Sequence, residues 1–389
     1  MPRKANILYI WKSPYPWDVR VEKVCTALRN SGFNITILAR CANGELKEEY
    51  IDNMKIIRVG CGTRWILSNP VSMNPIWKKA INSCIESEKP DLIITREIML
   101  AEVAAFAARK KNIPVVMDMA EHYPAAMKSW KKYQDNFLRK VAVHYLDLPE
   151  KTERQSVPLM DGIFTVCEEQ NLRLNSQYDF PYEAMQVVHN TSALSIFEGV
   201  SKNINKPPKV FGHHGWMSSD KNILNLVLGF DRAAEKFSEI ELLLAGDGED
   251  FEEIQSSSSK AKHKNRIHLI GRYEPNDLPN ILSKIDIGCL PYEINLFNDH
   301  TLHNKLFDYL ACGKPLLCSK TKPFRRVIDE TGAGILADCS TPEKVTKAII
   351  EIMQSNTDQY SENAIKVAEH KYNWDVDSAN LVSFINKFT

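Results

Sequence analysis

The sequence predicts an α/β protein of two doubly wound domains, each a mostly parallel sheet with helices on both faces. Short apolar, β-branched runs alternate with helix-length segments along the whole chain, which implies right-handed β-α-β units. The runs are continuously apolar rather than alternating, the mark of strands covered on both faces. At 389 residues the chain is also too long for one core of ordinary size.

Taken in order, the first-half strands are "NILYIW", "NITILA", "MKIIRV", "DLIIT", "PVVMDM", "GIFTVC" and "AMQVVH". The second half repeats the scheme with "KVFGHHG", "IELLLAG", "RIHLIG", "IDIGCLPY", "KPLLCS" and "GILAD". Between them "EGVSKNINKPPKV" (198–210) is polar and ends in Pro-Pro, as a linker does. The expected domains are therefore 1–200 and 207–372. Ligands of such sheets bind outside the carboxyl ends of the strands, so the residues after each run carry the functional expectations.

Composition narrows the function. The formal net charge is zero, which argues against a nucleic-acid binder reliant on a basic field. Nine cysteines are scattered and never paired as CxxC, which suits reduced thiols and offers neither a zinc knuckle nor a disulfide framework. "NILYI" is too short for a signal peptide, and no apolar stretch approaches the ~20 residues that span a bilayer. The expected location is the cytoplasm.

The second half holds the denser chemistry. Gly215 ends a strand, Ser-Ser-Asp follows, and Lys221 stands near a helix start, where backbone N–H groups and a lysine make a phosphate site. His213 and His214 are adjacent on a strand and point to opposite faces, which disfavours a metal pair. "LLLAGDGED" allows close backbone approach without the dinucleotide fingerprint. Gly271-Arg272 and Leu290-Pro291-Tyr292 are further strand ends. In "HTLHNKLFDYLACGKPLLCS" a helix is expected to bury Leu302, Leu306, Phe307 and Leu310 and to carry His300, Asn304 and Asp308 along one row, with Lys305 beside Asp308. Gly313 and Pro315 stop it. A carboxylate there suits two ribose hydroxyls, and the cations suit a diphosphate. A Lys305–Asp308 surface pair is the plainer alternative.

This half resembles the C-terminal domain of retaining, family-4-type glycosyltransferases of the GT-B fold, whose two domains face a central cleft. "FDYLACGKPLL" matches the family run closely, with Asp308 at the second acidic position, and "NKLFDYLACGKP" is especially similar to bacterial enzymes of surface-polysaccharide synthesis. The resemblance covers nearly the whole chain, and in this half it departs from the family at two places. His300 replaces the first acidic residue, and Trp216 stands where an arginine is frequent, while Lys221 is retained. The resemblance implies that the helix at 374–389 completes the first domain. "DVD" (375–377) at its start reads as a cap rather than a metal motif.

In the first half, the first strand runs into Ser-Pro-Tyr-Pro-Trp and then "DVRVEKV", similar to a subset of relatives. Asp18 caps a helix or meets the acceptor; Arg20 pairs on the surface or binds an anion in the cleft. "PVVMDMAEHYP" places Asp118, Glu121 and His122 at a strand's carboxyl end, where a carboxylate or imidazole can take a proton from an attacking hydroxyl. Ala120 stands where relatives often carry histidine. The helical stretch "MKSWKKYQDNFLRK" (127–140) interleaves basic and aromatic residues and suits an anionic membrane surface.

The expected function is a retaining, metal-independent glycosyltransferase, with a nucleotide-diphosphate sugar as substrate, no cofactor, and a glycan or lipid-linked acceptor. Gly215, Lys221, Arg272, Asn304, Lys305 and Asp308 are the expected donor-binding residues, Arg272 lending backbone toward the base. His300 is expected on the sugar or its phosphate. Asp118, Glu121 and His122 are the candidates for proton handling, and Asp18 and Arg20 for the acceptor side. A nucleotide-sugar epimerase of the same fold and a non-catalytic nucleotide-sugar-binding partner are the alternatives.

Overall fold

The computed structural model describes residues 4–16, 18–200, 202 and 206–389. Trp17 of the Ser-Pro-Tyr-Pro-Trp loop and part of the 198–210 stretch lie outside them. The chain divides into two compact units, the first running to Val188 and taking in Ser378–Thr389, the second spanning His189–Asp377. The changeover thus falls at Val188/His189, ahead of the 198–210 stretch.

In the first unit β1 (Asn6–Ile10), β2 (Asn34–Arg40), β3 (Glu48–Ile51), β4 (Met54–Val59), β5 (Leu92–Arg96), β6 (Val115–Met119), β7 (Gly162–Thr165) and β8 (Met185–Val187) form one sheet. Its order is β3-β4-β2-β1-β5-β6-β7-β8, and only the β3–β4 pair is antiparallel. That pair turns through Asp52-Asn53, whose φ values of 49° and 60° are both left-handed, as a tight hairpin requires. β1 and β5 are neighbours because the chain first builds outward through β2 and β4 and then restarts on the other side of β1. A ligand site is expected outside the carboxyl ends of those two strands.

The second unit repeats the plan with β9 (Val210–His214), β10 (Glu241–Ala245), β11 (Ile267–Gly271), β12 (Ile287–Leu290), β13 (Leu316–Ser319) and β14 (Gly334–Ala337), ordered β11-β10-β9-β12-β13-β14 and all parallel. Here the chain reverses between β9 and β12.

Each core follows from helices with one apolar stripe. In the first unit the helix Pro75–Glu88 starts with Asn74 accepting from Ile76 N, and it buries Trp77, Ile81, Cys84 and Ile85. Each large apolar side chain so covered contributes roughly 1.5–3 kcal/mol. In the second unit Ile223, Leu226, Val227 and Phe230 of the helix Ile223–Ala233 join Val345, Ile349 and Ile352 of the helix Pro342–Met353 in one core.

Three sequence readings need correction. Cys41 and Cys61 form a disulfide, with Cα atoms 5.2 Å apart, where only reduced thiols were expected. Arg40 pairs with Val59 across β2 and β4, so both cysteines emerge just past the same end of adjacent strands. The intervening β3 hairpin hides this proximity in the sequence. The seven other cysteines are buried and outside any disulfide.

The stretch 127–140 is not one helix. A helix Tyr123–Ser129 gives way to a 3-10 turn Lys131–Tyr133 and a short helix Phe137–Lys140. Its aromatic residues separate accordingly: Trp130 and Tyr133 stack on each other and pack against the core, while Phe137 and Leu138 are each 77 % exposed.

The third correction concerns the last helix, Trp374–Ile385. Its start is capped by Asn373, which accepts from Val376 N at 3.0 Å, rather than by the Asp-Val-Asp run. Asp377 instead is buried, accepting from the Thr191 hydroxyl and lying 3.1 Å from His189 Nδ1. Beyond it, Phe384 packs edge-on against Phe164 in the first unit. Among the described residues no helix is long and apolar enough to cross a membrane.

Candidate functional site

In the second unit the functional side chains collect at the carboxyl ends of β9 and β12. Gly215 follows β9 with φ +91°, and a Cβ there would fall 2.5 Å from Lys305 Cε. Gly246, after β10, has φ +140°, and a Cβ would meet the Gly215 carbonyl oxygen at 1.9 Å. The two loops therefore press backbone on backbone, which only glycine permits, and Lys305 lies along the space left bare.

Lys221 ends the 3-10 turn Ser219–Lys221. Its ammonium lies 2.6 Å from Asp220 Oδ2, 3.4 Å from His303 Nε2 and over the Tyr292 ring at 4.4 Å. The loop carrying His300 is pinned to this turn, because Asn298 Nδ2 donates to the carbonyls of Asp220 and Glu293 at 3.1 and 2.9 Å. Lys221 and Lys305 are only 5 % and 8 % exposed. Burial lowers the Lys305 ammonium to about 8, and the neighbouring Lys221 charge adds to the effect against Asp308 and Asp220. Burial also lowers His213 to about 3, and it drives His214 and His303 well below the usual histidine range. These imidazoles are neutral near pH 7, so the lysines carry the positive charge.

Asp308 is 3 % exposed. It accepts from the Ser192 hydroxyl and stands 3.6 Å from His214 Nε2. The His214 ring is itself held edge-on by Tyr309, with its Nδ1 3.2 Å from the Tyr273 hydroxyl. Gly215, Lys221, Lys305 and Asp308 thus occupy one cluster. Other expected donor residues sit differently. The helix bearing Asp308 is Asn304–Ala311, entered through His303 in extended backbone (φ −79°, ψ 136°). His300 belongs to a separate turn, Asn298–His300, with its Nδ1 2.9 Å from the Leu296 carbonyl. The expected helical row from His300 through Asn304 to Asp308 therefore does not form. Asn304 and Arg272 are exposed, as is Trp216. Tyr292 and Asp220 read only as a strand end and a helix cap, while His303 and Tyr273 were missed; His303 is the legible one, three residues past His300 and next to the helix.

In the first unit the corresponding place is the β1/β5 switch point. Asp118 at the end of β6 is fully buried, and its two oxygens take Arg20 Nε at 2.8 Å and the Tyr9 hydroxyl at 2.7 Å. Arg20 also donates to the Val188 carbonyl at 3.0 Å. Asp118 and Arg20 therefore form an internal ion pair that ties the helix Val19–Asn30 to β6 and to the residue after β8, not a surface pair with Glu22. Asp18 caps that helix, accepting from Val21 N at 2.9 Å. His122 is buried before the helix Tyr123–Ser129, and Glu121, part-exposed, takes a Gln170 hydrogen bond on its carbonyl. Glu97, which the sequence reading passed over, stands beside them.

The comparisons with known proteins come to the same fold. Residues 197–371 match the model "Glycosyl transferases group 1" and residues 18–194 match "Glycosyltransferase Family 4". A phosphatidyl-myo-inositol mannosyltransferase of Mycolicibacterium smegmatis is 22% identical over 165 residues, which are 42% of this chain and 40% of that protein. A poly(glycerol-phosphate) alpha-glucosyltransferase of Bacillus subtilis is 29% identical over 156 residues, 39% of this chain and 22% of that protein. These alignments thus span well under half of each relative. Among solved structures, a glycosyltransferase from Rickettsia africae superposes with TM-score 0.73 at 16% identity, covering 99% of this chain and 98% of its own. The Anabaena protein HepE in complex with UDP-glucose gives 0.69 at 13% identity, covering 98% and 100%.

Proposed function

Because the chain belongs to the family-4-like, group 1 glycosyltransferases of the GT-B fold, we propose that it moves a sugar, with retention, from a nucleotide-diphosphate donor to a hydroxyl of a glycan or lipid-linked acceptor. The observation that carries this reading is the pair of buried lysines, Lys305 lying where Gly215 leaves the strand end bare and Lys221 close enough for its charge to act on the Lys305 ammonium. Cationic groups preorganised in a dry site stabilise charge that develops on a leaving group, here the diphosphate, without needing a metal for that work. Asp308 would hold the ribose hydroxyls, as a carboxylate that accepts only. His303, a neutral imidazole 3.4 Å from the Lys221 ammonium, would face the sugar phosphate, and His300 on the neighbouring turn would join it. Retention implies attack from the leaving group's own face, with the diphosphate as the proton's destination. The related enzymes named for lipid and polymer acceptors support cell-surface polysaccharide synthesis as the setting. The exposed Phe137 and Leu138 beside Arg139 and Lys140 support peripheral contact with the cytoplasmic face of a membrane.

The test is product analysis with UDP-, GDP- and dTDP-sugars, UDP-glucose first because HepE binds it, in the presence of alkyl glycosides. Transfer releases nucleoside diphosphate and a larger glycoside. A new nucleotide sugar without nucleotide release would mean an epimerase, and binding alone would mean a partner subunit.

A further inference from the structure

Glu97 is the first residue after β5, and its backbone is strained. Its φ of 63° with ψ of 178° lies in a region that side-chain-bearing residues avoid, at a cost of about 1–3 kcal/mol. Strain of this kind persists where the surroundings hold it. Here Glu97 N donates to the Asp118 carbonyl at 3.0 Å. Oε1 accepts from Arg96 Nη1 at 2.5 Å and from Ala120 N at 3.2 Å. The side chain is 3 % exposed, yet Oε2 is buried with no hydrogen-bond partner among the described residues. A buried carboxylate oxygen without a donor costs about 1–3 kcal/mol or more, a cost that a hydroxyl donated by a bound molecule would remove.

Its place in the fold says what that partner is. Glu97 follows β5 and Lys12 follows β1 by two residues, so the two flank the topological switch point of the first unit. Lys12 reaches the Tyr123 hydroxyl and lies over the Tyr123 ring at 4.1 Å. Glu97 faces Lys12, Arg96, Asp118 and Glu121, and Lys12 also faces Lys132. An anionic group would be held off by the three carboxyl groups. A hydroxyl, which donates one hydrogen and accepts from an ammonium, satisfies both ends.

We propose that Glu97 Oε2, with Lys12 at its side, is the acceptor-binding site of this enzyme, receiving a hydrogen bond from a sugar hydroxyl of the acceptor. Glu97 positions the acceptor and takes no proton in the transfer. The inference rests on the glycosyl-transfer reading above. Burial raises the Glu97 carboxyl to about 7, with Glu121 and Asp118 assisting and Arg96 and Lys12 opposing. The site therefore holds its acceptor better above neutrality, where Glu97 is ionised.

The test uses Glu97→Gln, which turns the outer oxygen into a donor while keeping shape, and Glu97→Asp, which keeps the charge. With the donor that the nucleotide-sugar panel selects and alkyl glycosides as acceptor probes, Glu97→Gln should raise KM for the glycoside at least tenfold. The KM for the donor should change less than twofold. The wild-type fall in glycoside KM between pH 6 and 8 should vanish in Glu97→Gln and persist in Glu97→Asp. Equal glycoside KM and an unchanged pH profile in a folded Glu97→Gln would overturn this inference alone. Wild-type protein that transfers to none of the glycosides would overturn both it and the transferase reading.

Discussion

Lys305 is the residue whose chemistry is most exposed to test. In the ligand-free protein its ammonium titrates near 8, held down by burial and by Lys221. A diphosphate beside it supplies the opposite charge and raises it again. Binding should therefore take up a proton near pH 8–9, and affinity for UDP should be full below about pH 8 and decline as pH rises through the bound-state value. Calorimetry in two buffers of different ionisation enthalpy reads that proton; identical heats would remove Lys305 from the anion site. Glu97 gives a second sign. Its carboxyl is raised from 4.5 to about 7, so between those values the folded state binds more protons than the unfolded chain, and Glu97 makes stability fall as pH rises. Melting temperatures of Glu97→Gln between pH 5 and 7.5 should show a shallower decline than wild type. A parallel decline in both would place the titration elsewhere.

At the scale of elements, the loops that follow the strands carry both the function and the surprises. Gly246→Ala should lower stability by more than about 2 kcal/mol, because it adds a Cβ onto the Gly215 carbonyl in a left-handed backbone; a near-neutral melting temperature would show that these loops are not packed as described. Breaking Cys41–Cys61, which closes a loop of 20 residues, should cost about 3 kcal/mol, read by denaturation of Cys41→Ser with Cys61→Ser against the oxidised wild type. The strands themselves were legible because period and length leave little choice for buried parallel β-structure. β3 was not, since its residues are half exposed and acidic, though the Asp52-Asn53 turn marks it in retrospect. Lys221, Lys305 and Asp308 could be read from spacing and resemblance. The turn that removes His300 from the helix could not, because it is imposed by Asn298 bonding to a carbonyl 78 residues away. Glu97 was invisible for a similar reason: its strain and its buried oxygen are tertiary properties.

For the whole molecule, two mostly parallel sheets each reverse their winding order once, and buried charged groups gather at each reversal. The first unit buries the Glu97 carboxyl there, and the second buries Lys221, Lys305 and the Asp308 carboxylate. The exposed Phe137 and Leu138, with Arg139 and Lys140 next to them, belong to the same unit as Glu97. Sedimentation with vesicles should therefore show more binding to phosphatidylglycerol than to phosphatidylcholine, reduced severalfold by Phe137→Ser with Leu138→Ser. Equal partition to both lipids would argue against the electrostatic part of that surface. The most direct measurement is calorimetric titration of the second unit's site, in the full chain, with UDP in the presence of EDTA. Wild-type protein should bind, and Lys221→Ala with Lys305→Ala should weaken binding at least a hundredfold. Undiminished binding by the double variant, or wild-type binding that appears only when magnesium is restored, would contradict a diphosphate site built from these lysines.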